Sequence, residues 1–203
     1  MDAAPHRRDQ EKTSRVHGEA ALPGARVPVT AVAIAVISTM LFLCCPGSAH
    51  GTEQEYLVKT AFLYNFAKFI EWPPTVFGDK AEPLAICVVG QDCFGNTLRM
   101  LKNKTVEGRI IAVRKGVKTN DIDGCHVLFI SGSEKENLQQ ILKAVRGVPV
   151  LTVGDTDGFA RAGVMINLVP VGSRIGFEIN LGAVEETPLK ISSKLLKLGK
   201  TIR

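Results

Sequence analysis

Histidine is nearly missing from this chain, and its scarcity excludes a good deal of chemistry. Four histidines occur in 203 residues, and His6, His17 and His50 all precede residue 52, so His126 is the only one left to the remainder. A histidine-dependent hydrolase would have to use it. No serine or carboxylate is tied to it by a motif, so it reads as a structural residue. The chain also lacks a phosphate loop, a dinucleotide fingerprint, a zinc-protease helix and a nucleophile elbow. With no nucleophile, base or metal constellation, it reads as a protein without enzymatic activity and without a cofactor.

Cysteine is sparse too. Five are present; Cys44 and Cys45 fall in an apolar N-terminal run, leaving Cys87, Cys93 and Cys125. A zinc site built from these and His126 fails on spacing, and Cys125 and His126 are neighbours at a strand start, where alternate side chains point to opposite faces. DIDG (121–124) and DTDG (155–158) lack the third acidic position and distal glutamate of a calcium loop and read as turns. The net charge of +5 is spread without a basic block, which argues against binding nucleic acid or an anionic membrane surface.

What is present begins with an export signature. Arg7, Arg8, Lys12, Arg15 and Arg26 precede the uncharged run VTAVAIAVISTMLFLCC (29–45), which is followed by PGSAHG. A basic region, an apolar run and small residues make a secretory signal, with cleavage after Ala49 or Gly51. The leader is 1–51, and an uncleaved anchor is the alternative, since the run nearly reaches spanning length. Residues 52–203 then form one ordinary domain.

Within that domain, 52–71 reads as a helix stopped by Pro73-Pro74. Apolar runs then alternate with amphipathic segments. Strands are expected at 84–90, 109–114, 125–131 and 149–154, and helices over Phe94–Lys102 and from about 132 to Val145. VMINLVPV and RIGFEIN face each other across a turn containing Gly172, as an antiparallel hairpin, and a last helix over about 181–198 closes the chain. The fold class is α/β: a mostly parallel sheet flanked by helices, with a C-terminal antiparallel hairpin and a closing helix.

FLYNFAKFIEWP (62–73) holds five of the twelve aromatic side chains. Helical spacing puts Phe62, Phe66, Phe69 and Pro73 on one stripe beside Ile70, which reads as core rather than a cofactor box. The edge carrying Asn65, Lys68 and Trp72 is either a solvated face or a partner surface.

Cys87 and Cys125 sit on apolar strands, LAICVV and CHVLFI, that suit side-by-side pairing. Two readings stand: a disulfide, which export permits, or two buried reduced thiols. Cys93 is then the odd, free thiol, reactive where exposed. In the hairpin, alternation puts Arg174, Gly176, Glu178 and Asn180 on one face, with Asn167 able to join it from the facing strand. That group reads either as a solvated face with a cross-strand ion pair or as a grip for a small zwitterionic or anionic ligand.

Taken together, KTAFLYNFAKFIEWP, ICVVGQDCFG, CHVLFIS, PVLTVGD, MINLV, RIGFEINLGA and ISSKLLKLGK resemble the YfiR family of exported bacterial proteins, from about residue 55 to the C-terminus. The resemblance implies a periplasmic α/β regulator that binds the periplasmic sensory domain of an inner-membrane diguanylate cyclase, represses it and lowers cyclic di-GMP. A periplasmic small-molecule sensor is the second reading, and a homodimer is plausible on the resemblance alone. It also implies Cys87 and Cys125 as the matched disulfide positions, and a small-ligand site near Arg174. Cys93 stands where the family has proline, Val164 where a second glycine is usual, and Leu168 where phenylalanine is usual; a second disulfide found in some members has no counterpart.

Overall fold

The computed structural model describes residues 52–79 and 81–203; the leader and export signal read at 1–51 lie outside the described residues. Thr52 opens the first helix, its hydroxyl accepting the Glu55 N–H at 3.2 Å, while Glu53 and Glu55 complement the helix dipole. That helix, α1, spans Glu53–Phe69 and passes directly into the two-residue strand β1 (Ile70–Glu71). Among the described residues, no helix is long and apolar enough to cross a membrane.

The remaining strands are β2 (Leu84–Val89), β3 (Thr105–Val106), β4 (Arg109–Val117), β5 (Val127–Ile130), β6 (Leu151–Gly154), β7 (Ile166–Val171), β8 (Arg174–Asn180), β9 (Lys190–Ile191) and β10 (Lys200–Ile202). Three short helices join α1: α2 (Leu138–Ala144), α3 (Leu181–Glu185) and α4 (Ser193–Leu196). Eight strands form one sheet in the order β10-β8-β7-β6-β5-β2-β4-β3, and β1 pairs with β9 separately. From β4 to β7 the neighbours are parallel, and β7 and β8 form the expected antiparallel hairpin.

β2 and β5 are buried at every position, because both faces of the sheet are covered. Ile86, Val88, Val127, Phe129, Leu151 and Val153 face a core built with α1 and the C-terminal segment. Cys87, Val89, Leu128 and Ile130 face a second core with α2. The buried stripe of α1 is Leu63, Phe66, Ala67 and Ile70, whereas Phe62 and Phe69 flank it and stay partly exposed. Phe177 of β8 draws both Phe62 and Phe66 into edge-to-face contact, at 5.7 and 5.1 Å between ring centres. The helix is therefore covered on two sides, and its contact face is one position off the stripe read from sequence.

Two expected helices take other forms. Over Phe94–Lys102 only a 3-10 turn, Thr97–Leu101, is present, entered through Asp92, whose carboxylate accepts the Phe94 and Gly95 N–H groups at 3.0 and 3.2 Å. The helical closing segment is there but divided. Pro188 follows Thr187, whose hydroxyl donates to the Val184 carbonyl and ends α3; Ser192 then caps a new helix, α4. The chain finishes as β10, parallel to β8. This close approach needs Gly199, since a Cβ there would collide with the Phe177 ring.

β4 is the longest strand, and its outer edge is covered only at its start. β3 pairs with Arg109 and Ile110, and Ile111 donates to the Lys104 carbonyl at 3.0 Å. Further along, Lys115 crosses to Asp92, and Gly116, at φ 64°, accompanies a register shift against β2.

Cys87 and Cys125 are bonded, 5.9 Å apart at Cα, closing a loop across 38 residues. Replacing both by alanine is expected to lower the unfolding free energy by about 4 kcal/mol, the chain-entropy value for a loop of that length. Urea titration of the oxidised protein and the double variant measures it, and equal midpoints would mean that the cross-link adds nothing.

Candidate functional site

Three polar constellations stand at distinct ends of the sheet. The first surrounds the disulfide. Cys125 lies just before β5, and Arg114 of β4 reaches over it, its guanidinium 3.6 Å from Cys125 Sγ while donating to the Asp121 and Asp123 carbonyls at 2.8 Å each. His126, the next residue, accepts the Ala85 N–H on Nδ1 at 3.0 Å, and its own backbone N–H donates to the Ala85 carbonyl at 2.9 Å. Its carbonyl accepts the Leu151 N–H. Side chain and backbone together thus fasten β2, β5 and β6 at their amino ends.

The His126 ring is buried and stacks on Phe77 at 4.6 Å, with Trp72 edge-on at 6.0 Å. Arg109 lies over the other side of Phe77, 3.8 Å from its centre. Burial holds the His126 pKa below its ordinary 6.5; Glu82 opposes this and Arg109 assists it. Only the neutral ring accepts the Ala85 N–H.

The second constellation lies at the carboxyl ends of β2 and β6. Lys59 of α1 is buried, with Nζ 2.7 Å from Asp155 and 2.6 Å from Glu55. The Tyr56 hydroxyl donates to the same Asp155 oxygen at 3.2 Å, and its ring packs edge-on against Phe94. Burial alone would lower the Lys59 pKa, but its bonds to Asp155 and Glu55 raise it. Tyr56 is pushed up by burial and by its neighbours Cys93 and Asp155. Cys93 is free and half-buried, and burial raises its pKa, so the thiol stays protonated. Lys59 had a sequence signal: it precedes Leu63, Phe66 and Ile70 on the same helical stripe, a core position that obliges a lysine to find an acid.

The third is the hairpin group, and its members separate. Arg174 is exposed beside the turn, opposite Val171. Glu178 lies four residues further along, about 13 Å at the strand rise, where Lys200 of β10 pairs with it at 3.2 Å. Asn180 is buried and caps α3, its Oδ1 accepting the Ala183 N–H at 2.9 Å and its Nδ2 donating to the Ala160 carbonyl at 2.7 Å. Asn167, 1% exposed, donates to the Thr156 carbonyl at 2.9 Å, and its Oδ1 has no partner among the described residues. Gly154 leaves room for that amide, since a Cβ there would lie 3.1 Å from Asn167 Oδ1.

The α1 edge divides similarly. Asn65 and Lys68 are exposed, with Lys68 5.3 Å over the Tyr64 ring. Trp72 instead turns inward, donating to the Ala67 carbonyl at 3.3 Å and touching Phe77 and His126. Sequence reasoning missed His126, Phe77 and Arg109 as a group because their approach comes from strand order, which no local pattern carries.

Stability is expected to depend on pH through His126. Its folded pKa is depressed, so its contribution is complete above pH 6.5, the unfolded value, and is lost as pH falls through the folded value. Urea midpoints between neutral pH and about pH 5 read this loss, and His126→Asn, which keeps an acceptor but no titration, should flatten the slope. For the second cluster, Lys59→Met is expected to cost about 3 kcal/mol by stranding Asp155. Adding Asp155→Asn should recover much of that; additive losses would show that the pair is not coupled.

The YfiR/HmsC-like family model matches residues 56–200. One solved structure similar to this chain is the ABC domain in complex with L-Trp from Streptococcus pneumonia, at 12% identity and a TM-score of 0.44. That alignment covers 59% of this chain and 55% of that one, so the chain spans about half the length of that protein. The family match runs from Tyr56 in α1 through the first residue of β10, taking in the disulfide and, Glu55 apart, all three constellations, and by it the chain belongs to the YfiR/HmsC-like family.

Proposed function

We propose that this chain is a periplasmic regulatory protein which binds the periplasmic sensory domain of an inner-membrane diguanylate cyclase and represses it, lowering cyclic di-GMP. The observation that carries the reading is the family match over 56–200, nearly the whole described domain. The role is regulatory rather than catalytic, as expected of a member of that family.

The geometry supports a mechanism for tuning the grip. Asn65 and Lys68 offer the solvent-facing part of the partner surface on α1. The same helix runs into Trp72, which packs against His126, the residue next to Cys125 of the disulfide. Oxidised, the cross-link and the His126–Ala85 bonds hold β2 against β5 and give the end of α1 a fixed base. Reduced, that base rests on hydrogen bonds and packing alone, and the partner surface loses rigidity. Redox state would thus act on affinity through preorganisation rather than through new contacts. The second reading, a small-molecule sensor, does not draw on Arg174 and Glu178 acting together, since they stand apart; it is favoured instead by a cleft beside α2 to which Asn180 contributes.

Deleting the gene is expected to raise cytoplasmic cyclic di-GMP, and the intact exported protein should restore the lower level. A Lys68→Glu protein of normal stability should restore it poorly, and one lacking Cys87 and Cys125 should do so only in part. An unchanged nucleotide level on deletion would remove the cyclase reading.

A further inference from the structure

Beside α2, on the sheet face opposite α1, lies a cleft of about 630 Å³. Its walls include Leu142 and Val145, and Gly147, Gly163 and Gly182 line it without a side chain. On its floor are two buried polar residues, Thr152 and Asn180. The Thr152 hydroxyl, in a residue 1% exposed, accepts the Met165 N–H at 3.0 Å, and its own proton has no acceptor among the described residues. Asn180 uses its oxygen on Ala183 and one amide hydrogen on Ala160, which leaves the second hydrogen over. Each of the two oxygens already accepts a backbone N–H, and each residue keeps one donor hydrogen without an acceptor among the described residues.

The rim carries the matching charge. Lys143 has no carboxylate within ion-pair distance among the described residues, and Arg146 pairs only through Nε with Glu186 at 3.2 Å, with side chains 73% and 56% exposed. So exposed a pair is weak and easily exchanged for another carboxylate. Free donors and cations lining one cleft together with apolar wall call for a small molecule with an anionic acceptor at one end and an apolar body. We propose that this cleft binds a small amphipathic monocarboxylate, its carboxylate held by Lys143 and Arg146 within reach of the Thr152 hydroxyl, and its hydrocarbon against Leu142 and Val145. The site is separate from the α1 edge and does not depend on the cyclase reading.

Hexanoate serves as the probe, with hexan-1-ol as its uncharged counterpart, titrated into the oxidised protein under amide NMR. Hexanoate is expected to bind saturably with a Kd of about 1 mM, suited to so few heavy atoms, and to shift the Thr152, Met165 and Ala183 amides. Hexan-1-ol should bind about tenfold more weakly. Lys143→Gln with Arg146→Gln, both at exposed positions, should weaken hexanoate by about tenfold or more at an unchanged Tm, and Arg174→Ala should have no effect. Absence of saturable binding, equal affinity for the alcohol, undiminished affinity in the double variant or shifts confined to another region would each overturn the assignment.

Discussion

The contact between β2 and β5 is the constraint on which the rest of this structure depends. Both strands are buried along their whole length, and they lie in the middle of the sheet, so every other strand takes its place outward from them. Their amino ends are fixed three ways: a covalent bond from Cys87 to Cys125, a backbone bond from His126 to Ala85, and a return bond from Ala85 to the imidazole. The last is the weakest chemically, because it needs a neutral ring in a buried place, and aromatic neighbours keep water from it. A residue that began as the leftover histidine of the chain is thereby a structural hub, as its sequence context indicated, though by contacts the sequence did not display.

What was legible follows from what is local. β2, β5 and β6 announced themselves as short apolar runs because strands covered on both faces need no polar alternation. The hairpin was legible from alternation around Gly172. β1, β3, β9 and β10 were not, since strands of two or three residues exist only because a partner edge is in place. The closing segment reads as a continuous helix because Lys and Leu spacing over 189–198 suits one, while Pro188 and the Ser192 cap set its breaks. The face of α1 lies one position from the stripe its spacing predicts, since five aromatic side chains surround most of the helix and the position of Phe177 decides which are deepest. Arg174, Glu178 and Asn180 do share a strand face as alternation required. Shared facing is not convergence, however, and a separation of four residues along an extended chain disperses them.

The Lys59–Asp155–Tyr56 cluster does for the carboxyl end of the sheet what the disulfide does for the amino end. It ties α1 to the loop after β6 through charge-assisted bonds, and Thr60 and Thr97 add a buried hydroxyl pair at 3.1 Å. With Trp72 and His126 at the other end, the helix is pinned near both of its termini, leaving Asn65 and Lys68 exposed between fixed points. The sensitivities of the two anchors differ. One responds to thiol chemistry and imidazole protonation, whereas in the other Lys59 and Tyr56 have pKa values driven further from neutrality.

The treatment of β4 bears on how copies of the molecule meet. A long uncovered strand ordinarily invites another chain to add itself to the sheet, and crowding in a narrow compartment would favour such addition. Here Gly116 stands as an extra residue in the pairing of β4 with β2, and the bulge bends β4 along the part that β3 leaves uncovered. Edge-to-edge addition of a second copy is thus disfavoured along the later part of β4, because a bent strand offers a poor ladder to a straight one.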